Sequence, residues 1–175
     1  MVNWIISPID SIERSPSSLR KDPFNSGNPE LDRYLKQYAI KNDRNGVSRT
    51  FVAVLSEESQ KIAGYYSCCT GGLSFEDLPA DLQESLPRYP TPIILIGKLA
   101  VDRSVQGRGL GKRLLFHALE NAVNVSQTVG VYAVRVDAID EAAKTFYENS
   151  GFREMPELPL SLLLRLQTFK RALDS

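Results

Sequence analysis

Residues 106–111 read Gln106-Gly107-Arg108-Gly109-Leu110-Gly111, directly after an apolar run and directly before an amphipathic one. A glycine-rich turn at a helix start leaves backbone N–H groups unpaired and pointing outward. Such a turn cradles phosphate oxygens, and the helix dipole helps. Gly109 and Gly111 let the backbone come close to a ligand. Arg108, Lys112 and Arg113 add positive charge at the same end. That inverts the usual preference for acids at a helix start, so an external anion is the natural counterpart. The turn is not a Walker loop, because no Gly-Lys-Ser/Thr follows. Nor is it a dinucleotide fingerprint, because strands and a helix precede it and no acid marks the next strand with a ribose role.

The elements that must position this turn are legible from periodicity and punctuation. Val2 to Ile6 is expected to be a first strand, and the Ser- and Pro-rich stretch Ser11 to Pro29 a loop. Asn28-Pro29-Glu30 starts a helix: a capping Asn, Pro in the first turn and an acid near the positive end. Leu31, Tyr34, Leu35, Tyr38 and Ala39 form its apolar face at helical period, and Asn45-Gly46 ends it. Phe51 to Leu55 and Ile62 to Cys69 read as strands joined by a polar turn at Glu57 to Lys61. Leu73 to Leu86 is acidic and partly helical, and Pro87, Pro90 and Pro92 keep the backbone extended. Ile93 to Val101 is the most apolar strand and so a central one. A helix then runs to about Val125, Val131 to Val136 is a strand, and Asp140 caps a helix closed by Gly151. Leu160 to Leu166 is the last strand, before a basic tail. The order is mixed α/β.

The chain has 175 residues, 42% of them apolar and 24% charged. That length fits one domain, residues 1–175, able to bury roughly 70% of its unfolded surface without a metal or disulfide staple. The 21 basic and 21 acidic side chains cancel, so net charge alone points to neither nucleic acid nor membrane. Cys68 and Cys69 are adjacent, a poor disulfide, and with one His in the chain they make a poor metal site. They read as two small strand residues, and no metal is expected. Met1 to Pro8 has no basic start, and no apolar run approaches ~18 residues. A cytoplasmic protein with no membrane partner is expected.

Two motifs carry a family resemblance. Leu99-Ala100-Val101-Asp102 followed by Gln106-x-x-Gly109-x-Gly111 resembles motif A of the GNAT N-acetyltransferases. Phe146-Tyr147-x-x-x-Gly151-Phe152 resembles their motif B, in the right order. A narrower resemblance runs along nearly the whole chain. Phe24, Leu31-Asp32-x-Tyr34-Leu35, Gly64-Tyr65-Tyr66 and Leu86-Pro87-Arg88-Tyr89-Pro90-x-Pro92 are similar to the GNAT toxins of bacterial toxin–antitoxin modules. Those enzymes acetylate the α-amine of the amino acid on charged tRNA. One departure is Lys98, where that subgroup often has Arg: charge is kept and a two-pronged planar donor is lost.

The resemblance implies a GNAT fold, a central twisted mixed β-sheet splayed at the acetyl-CoA site and flanked by helices. It also implies roles. The backbone of Leu99, Ala100 and Val101 would pair with the pantetheine arm of acetyl-CoA. The N–H groups of Gly107, Arg108, Gly109, Leu110, Gly111 and Lys112 would hold the pyrophosphate, and Gln106 and Phe146 would also belong to the cofactor site. Tyr147 would protonate the leaving thiolate, a modest demand for a thiol with a pKa of about 8.5. The reading from residues alone is that one of Phe146 and Tyr147 packs in the core. The implied partners are aminoacyl-tRNA and a ribbon-helix-helix antitoxin, and dimerisation is common in such enzymes.

Ile93 to Val101 carries no Asp or Glu, where many acetyltransferases keep a general base. A lysine amine, pKa ~10.4, needs a base at pH 7, whereas an α-amine, pKa ~7.7 to 8.0, largely does not. The gap therefore favours an α-amine substrate.

Charge is also unevenly spread. Residues 33–49 hold Arg33, Lys36, Lys41, Arg44 and Arg49 against one acid, Asp43, whereas Glu76, Asp77, Asp81 and Glu84 cluster without a base. Lys41 and Arg49 could follow a phosphate backbone, or be a solvated helix face. Arg88 and Lys98 are better candidates for the acceptor end. His117 reads as a rim or packed residue, and Trp4 as core. Tyr65 and Tyr66 alternate across a strand, which packs one ring and leaves the other for a cleft. Tyr89 is expected to pack. Two other functions compete: acetylation of a protein N-terminus or small amine, and an idle acyl-CoA-binding module.

Overall fold

The computed structural model describes residues 2–55 and 61–175. The polar turn expected at Glu57 to Lys61 lies, apart from Lys61, outside the described residues. The chain runs β1 (Trp4–Pro8), α1 (Pro16–Arg20), α2 (Pro29–Arg33), a π-helical turn (Tyr34–Tyr38) and α3 (Ala39–Arg44). It continues with β2 (Arg49–Leu55), β3 (Ile62–Leu73), α4 (Ala80–Gln83), β4 (Thr91–Val101) and α5 (Leu110–Val125). Last come β5 (Ala133–Asp137), α6 (Glu141–Glu148), β6 (Arg153–Met155), β7 (Leu158–Arg165) and α7 (Leu166–Leu173). The strands are ordered β1-β2-β3-β4-β5-β7-β6. β4 and β5 are parallel, while β1 with β2, β2 with β3, β5 with β7 and β6 with β7 are antiparallel. The mixed α/β class is the one expected. The chain forms two compact units, Met1–Cys69 with Gly97–Ala118, and Thr70–Ile96 with Leu119–Ser175.

In the first unit the Asn28 cap forms as expected. Its Oδ1 accepts from the amides of Glu30 and Leu31 at 3.0 and 3.2 Å. The helix that follows is not uniform, because Tyr34–Tyr38 is a π turn. The wider turn changes which residues face the core: Leu31, Leu35, Ala39 and Ile40 are buried, and Tyr38 is 46% exposed. With Ile9, Leu19 and Phe24 they pack on Val52, Ile62, Tyr65 and Ala100. Each fully buried Leu contributes about 1.5–3 kcal/mol. The stretch expected as loop contains α1, capped by the Ser15 hydroxyl, which accepts from Ser18 N–H at 3.1 Å. Trp4 is core, as expected.

Tyr65 and Tyr66 are both 0% exposed, so neither is left for a cleft. The reason is that both faces of β3 are covered. The Tyr65 hydroxyl donates to the Leu31 carbonyl at 2.7 Å, and Tyr66 Oη lies 2.8 Å from His117 Nδ1 on α5. Burial pushes the Tyr65 phenol well up, with Tyr34 and Asp32 adding to the effect. Beside them Gly64 is a close approach. A Cβ there would stand 2.9 Å from Leu114 Cδ1, 3.0 Å from the Ala100 carbonyl oxygen and 3.1 Å from Leu110 Cδ2.

In the second unit Ile93–Ile96 of β4 pair in register with Ala133–Val136 of β5. Leu73, Leu78, Leu82, Ile93, Ala133, Met155 and Leu163 form one core cluster. Asp140 caps α6 as expected, its Oδ1 accepting from Ala143 N–H at 2.8 Å. Gly151, at φ +93°, closes the helix. The last expected strand, Leu160 to Leu166, is the longer arm of a β6–β7 hairpin whose turn includes Glu157 at φ +60°. The basic tail is α7, with Lys170 and Arg171 in its last turn, where the helix dipole favours cations.

Candidate active site

The glycine turn leaves β4 as the spacing predicts. β4 ends at Val101, Arg103–Val105 make one 3₁₀ turn, and α5 begins at Leu110. Gly107 and Gly109 sit at φ +76° and +85°, a region that disfavours any residue with a Cβ. An added Cβ at either would meet nothing within 4 Å, so torsion and not crowding selects glycine there. Arg113 N–H donates to the Gly109 carbonyl at 3.2 Å, within the first turn of α5. The amides of Gly107 to Lys112 precede that bond, as the opening donors of a helix do. Gln106, Gly107, Arg108, Gly109 and Lys112 are exposed, Gly111 is half-buried and Leu110 is buried.

The turn is held from below by Asp102, a buried carboxylate whose role the sequence did not reveal. Its Oδ1 accepts from Ser104 N–H at 2.9 Å and Ser104 Oγ at 2.6 Å, and its Oδ2 from Asn25 N–H at 2.9 Å. Burial works against the charge. The hydrogen bonds from Ser104 and Asn25, with the nearby Lys61, outweigh it and hold the carboxyl below its ordinary range. The Gln106 side chain is committed to the protein: Nε2 donates to the Ser26 carbonyl at 3.0 Å and the Val101 carbonyl at 2.9 Å. That leaves its backbone, not its amide, for a ligand. Arg113 is also engaged, donating from Nη2 to the Trp4 carbonyl at 3.2 Å. Arg108 and Lys112 remain as exposed cations at the helix start. On β4, Ala100 is buried, and Lys98, Leu99 and Val101 are half-buried.

Phe146 and Tyr147 lie on α6 in the second unit. Tyr147 is 7% exposed, with its ring edge-on to Phe146 at 5.1 Å and to Phe152 at 5.7 Å between centroids. It is therefore the packed ring of the pair, and Phe146 is half-buried. Among the described residues its hydroxyl has no hydrogen-bond partner. Burial, then the charge of Asp137, pushes the phenol up to about 12.

The candidate substrate residues differ in how free they are. Lys98 Nζ sits 5.4 Å from the Tyr34 ring centroid. The Tyr34 hydroxyl lies within hydrogen-bond distance of Ser48 Oγ at 3.0 Å and Ser67 Oγ at 2.9 Å. Arg49 is tied down: Nη1 donates to Asp43 Oδ1 at 2.8 Å and to the Asp43 carbonyl at 2.9 Å. Lys41 is exposed on α3. Arg88 is exposed, with its guanidinium 5.5 Å from the Phe75 ring centroid. Tyr89 is 65% exposed, against the expectation that it packs. His117 is packed, edge-on to Phe51 at 5.2 Å. Cys68 and Cys69 are half-buried free thiols, and burial, then Cys69 and Asp43, pushes Cys68 up to about 11. Among the described residues no three His, Cys, Asp or Glu side chains gather as a metal site. No helix among them is long and apolar enough to cross a membrane.

A strand–glycine turn–helix with open amides, in a mixed seven-stranded sheet, is the architecture of an acyl-CoA-dependent transferase. The family model described as "Acetyltransferase (GNAT) domain" matches residues 47–154, and the chain belongs to that family. The tRNA-acetylating toxin of Mycobacterium tuberculosis is 37% identical over 144 residues, covering 82% of this chain and 84% of that protein. AtaT complexed with acetyl-methionyl-tRNAfMet has a TM-score of 0.86 at 25% identity, covering 98% of this chain and 99% of that one. AtaTR bound with AcCoA has a TM-score of 0.82 at 25% identity, covering 98% of each chain.

Proposed function

We propose that this protein is a toxin that transfers the acetyl group of acetyl-CoA to the α-amine of the amino acid on charged tRNA, and so blocks translation. The observation that carries the reading is the 37% identity to a tRNA-acetylating toxin over 82% of the chain. The likeness to AtaT with acetyl-methionyl-tRNA supports it over the whole length.

The amides of Gly107 to Lys112, with Arg108 and Lys112 beside them, receive the pyrophosphate of acetyl-CoA. The backbone of Leu99, Ala100 and Val101 pairs with its pantetheine arm, and Phe146 supplies an apolar contact. The neutral amine attacks the thioester carbonyl. The C–N bond forms, the C–S bond breaks, and the amine proton leaves to water. Tyr147 serves the departing sulfur. With its phenol pushed up to about 12, it stays protonated at every physiological pH. Full transfer of that proton to a thiolate of pKa about 8.5 is uphill by ~5 kcal/mol. Tyr147 therefore acts as a hydrogen-bond donor to the developing negative charge and keeps its proton, and the released thiolate takes its proton from the water that received the amine proton.

No carboxylate on β4 is needed, because at least about half of an α-amine is already neutral near pH 8. Arg88 and Lys98 contact the acceptor end, Lys41 contributes charge along the backbone, and Arg49 does so with the part of its guanidinium not held by Asp43. The reading places the protein in the cytoplasm, where charged tRNA and acetyl-CoA occur. It gives it a ribbon-helix-helix antitoxin as partner and a homodimer as its assembly.

The test is an incubation of purified protein with labelled acetyl-CoA and total charged tRNA, beside Tyr147→Phe. Label in the tRNA fraction, lost with the variant, is expected. No label on tRNA, with thiol released when free amines or peptides are added, would move the reading to an ordinary N-acetyltransferase.

A further inference from the structure

A cavity of about 230 Å³ is lined by α1 on one side and by the π turn and α3 on the other. Its walls carry Arg20, Lys36, Lys41 and Arg44, and its apolar lining includes Leu19 and Ile40, 1% and 6% exposed. No acid lines it. Among the described residues none of the four cations is in an ion pair. Asp43, the acid nearest in sequence, is buried and turned to Arg49 and to the Thr50 amide. Lys41 and Arg44 are three apart on one helix, a like-charge spacing that costs a few tenths of a kcal/mol. Four such charges converge on one hollow with no counterion from the protein. The π turn contributes Lys36 and Gln37 to the wall, and π turns recur at functional sites. The volume equals about eight waters at ~30 Å³ each, room for one phosphate with part of its sugar.

We propose that this cavity holds a backbone phosphate of the tRNA, the four cations facing its oxygens and Leu19 and Ile40 lying under the ribose. The proposal rests on the tRNA reading above and adds a seat for the body of the RNA. It assigns affinity, not chemistry, to α1 and the π turn.

The test is equilibrium binding of fluorescein-labelled, uncharged tRNA between 50 and 200 mM KCl. Wild type is compared with Lys36→Gln/Arg44→Gln and with a control of equal charge loss on α7, Lys170→Gln/Arg171→Gln. Each phosphate neutralised contributes about 0.7–0.9 to the slope of log affinity against log salt. The cavity variant is expected to be less steep than wild type by about 0.8, so wild type loses ~3-fold more affinity over that range. The α7 variant keeps the wild-type slope. Equal slopes for wild type and cavity variant, or an equal loss in the α7 variant, overturn the proposal.

An unchanged RNA slope with weakened antitoxin binding also overturns it, and assigns the cavity to an acidic protein segment. Lys36→Arg/Arg44→Lys, which keeps the charge, is expected to keep the wild-type slope; a slope as shallow as that of the double glutamine variant would mean that altered packing and not lost charge flattened it, and would overturn the proposal. If wild type acetylates charged tRNA but the slope ignores the cavity, only this proposal fails. If tRNA binds through the cavity and is never acetylated, only the reaction fails.

Discussion

Gly64→Ala tests how closely α5 must approach the sheet for the glycine turn to be presented. The new Cβ would stand 2.9 to 3.1 Å from Leu114 Cδ1, the Ala100 carbonyl and Leu110 Cδ2. Two of those atoms belong to the first turns of α5, and the third to the β4 segment expected to face pantetheine. A backbone oxygen cannot rotate away, so β4 or α5 must shift. Overpacking of this kind costs about 1–3 kcal/mol. Removing a glycine from the unfolded chain offsets about 0.4–1 kcal/mol of that. The net loss is about 0.5–2 kcal/mol, or roughly 2–6 °C in Tm for a chain of this size.

Gly71→Ala, on the same strand, is the matched control. Its nearest neighbours to a new Cβ are Ile93 side-chain atoms at 3.5 and 3.6 Å, ordinary contact distances. Its Tm should stay level or rise slightly, since the unfolded-state effect is shared. Thermal melts give the stability, and titration calorimetry with acetyl-CoA gives the consequence for the turn. Gly64→Ala should weaken acetyl-CoA binding and Gly71→Ala should not. If Gly64→Ala melts with Gly71→Ala and binds acetyl-CoA as wild type does, the α5–β4 approach is not what presents the cradle.

Tyr147→Phe should lower kcat by about 10²–10⁴ with an unchanged melting curve, because only an unpartnered hydroxyl is removed; a melt lowered by several degrees would mean that the hydroxyl is structural. The rate should climb with pH through the substrate amine's pKa and level off by about pH 9. No falling limb from Tyr147 is expected below about pH 11, since its phenol is pushed up to about 12. A fall beginning near pH 9 that vanishes in Tyr147→Phe would mean that the phenol is not held up in the working complex. Asp102→Asn should cost about 1–3 kcal/mol, because two charge-assisted bonds from Ser104 and one from Asn25 are weakened. The Asp102 carboxyl is lower in the folded than in the unfolded state, so its contribution is present above the unfolded value, ~3.9, and is lost as pH falls through the folded value. Wild type should therefore lose stability on acidification more steeply than Asp102→Asn, as measured by denaturant midpoints from pH 6 to pH 3.

What the sequence made legible was local. Asn28, Asp140, Gly46 and Gly151 mark helix ends through their own torsions and side-chain oxygens, and each does so in the structure. Gly107 and Gly109 announce the turn for the same reason. What was hidden depends on partners far along the chain. Asp102 reaches the amide of Asn25, 77 residues away, and no local pattern encodes that. Gln106 stands in the family's motif, yet its side-chain amide serves the Ser26 and Val101 carbonyls. The alternation rule predicts one open face for Tyr65 and Tyr66. It fails because separate helical segments cover both faces, which only the tertiary arrangement supplies. The π turn is likewise a packing outcome, since the apolar spacing from Leu31 to Ala39 fits an ordinary helix.

The most direct test of the central claim is the chemical identity of the amino acid released from tRNA. Charged tRNA is incubated with the protein and acetyl-CoA, recovered, and deacylated in mild alkali for mass spectrometry. The account predicts N-acetylated amino acid, abolished by Tyr147→Phe. Free, unmodified amino acid from the recovered tRNA, while the same protein consumes acetyl-CoA with peptides or small amines, would contradict it.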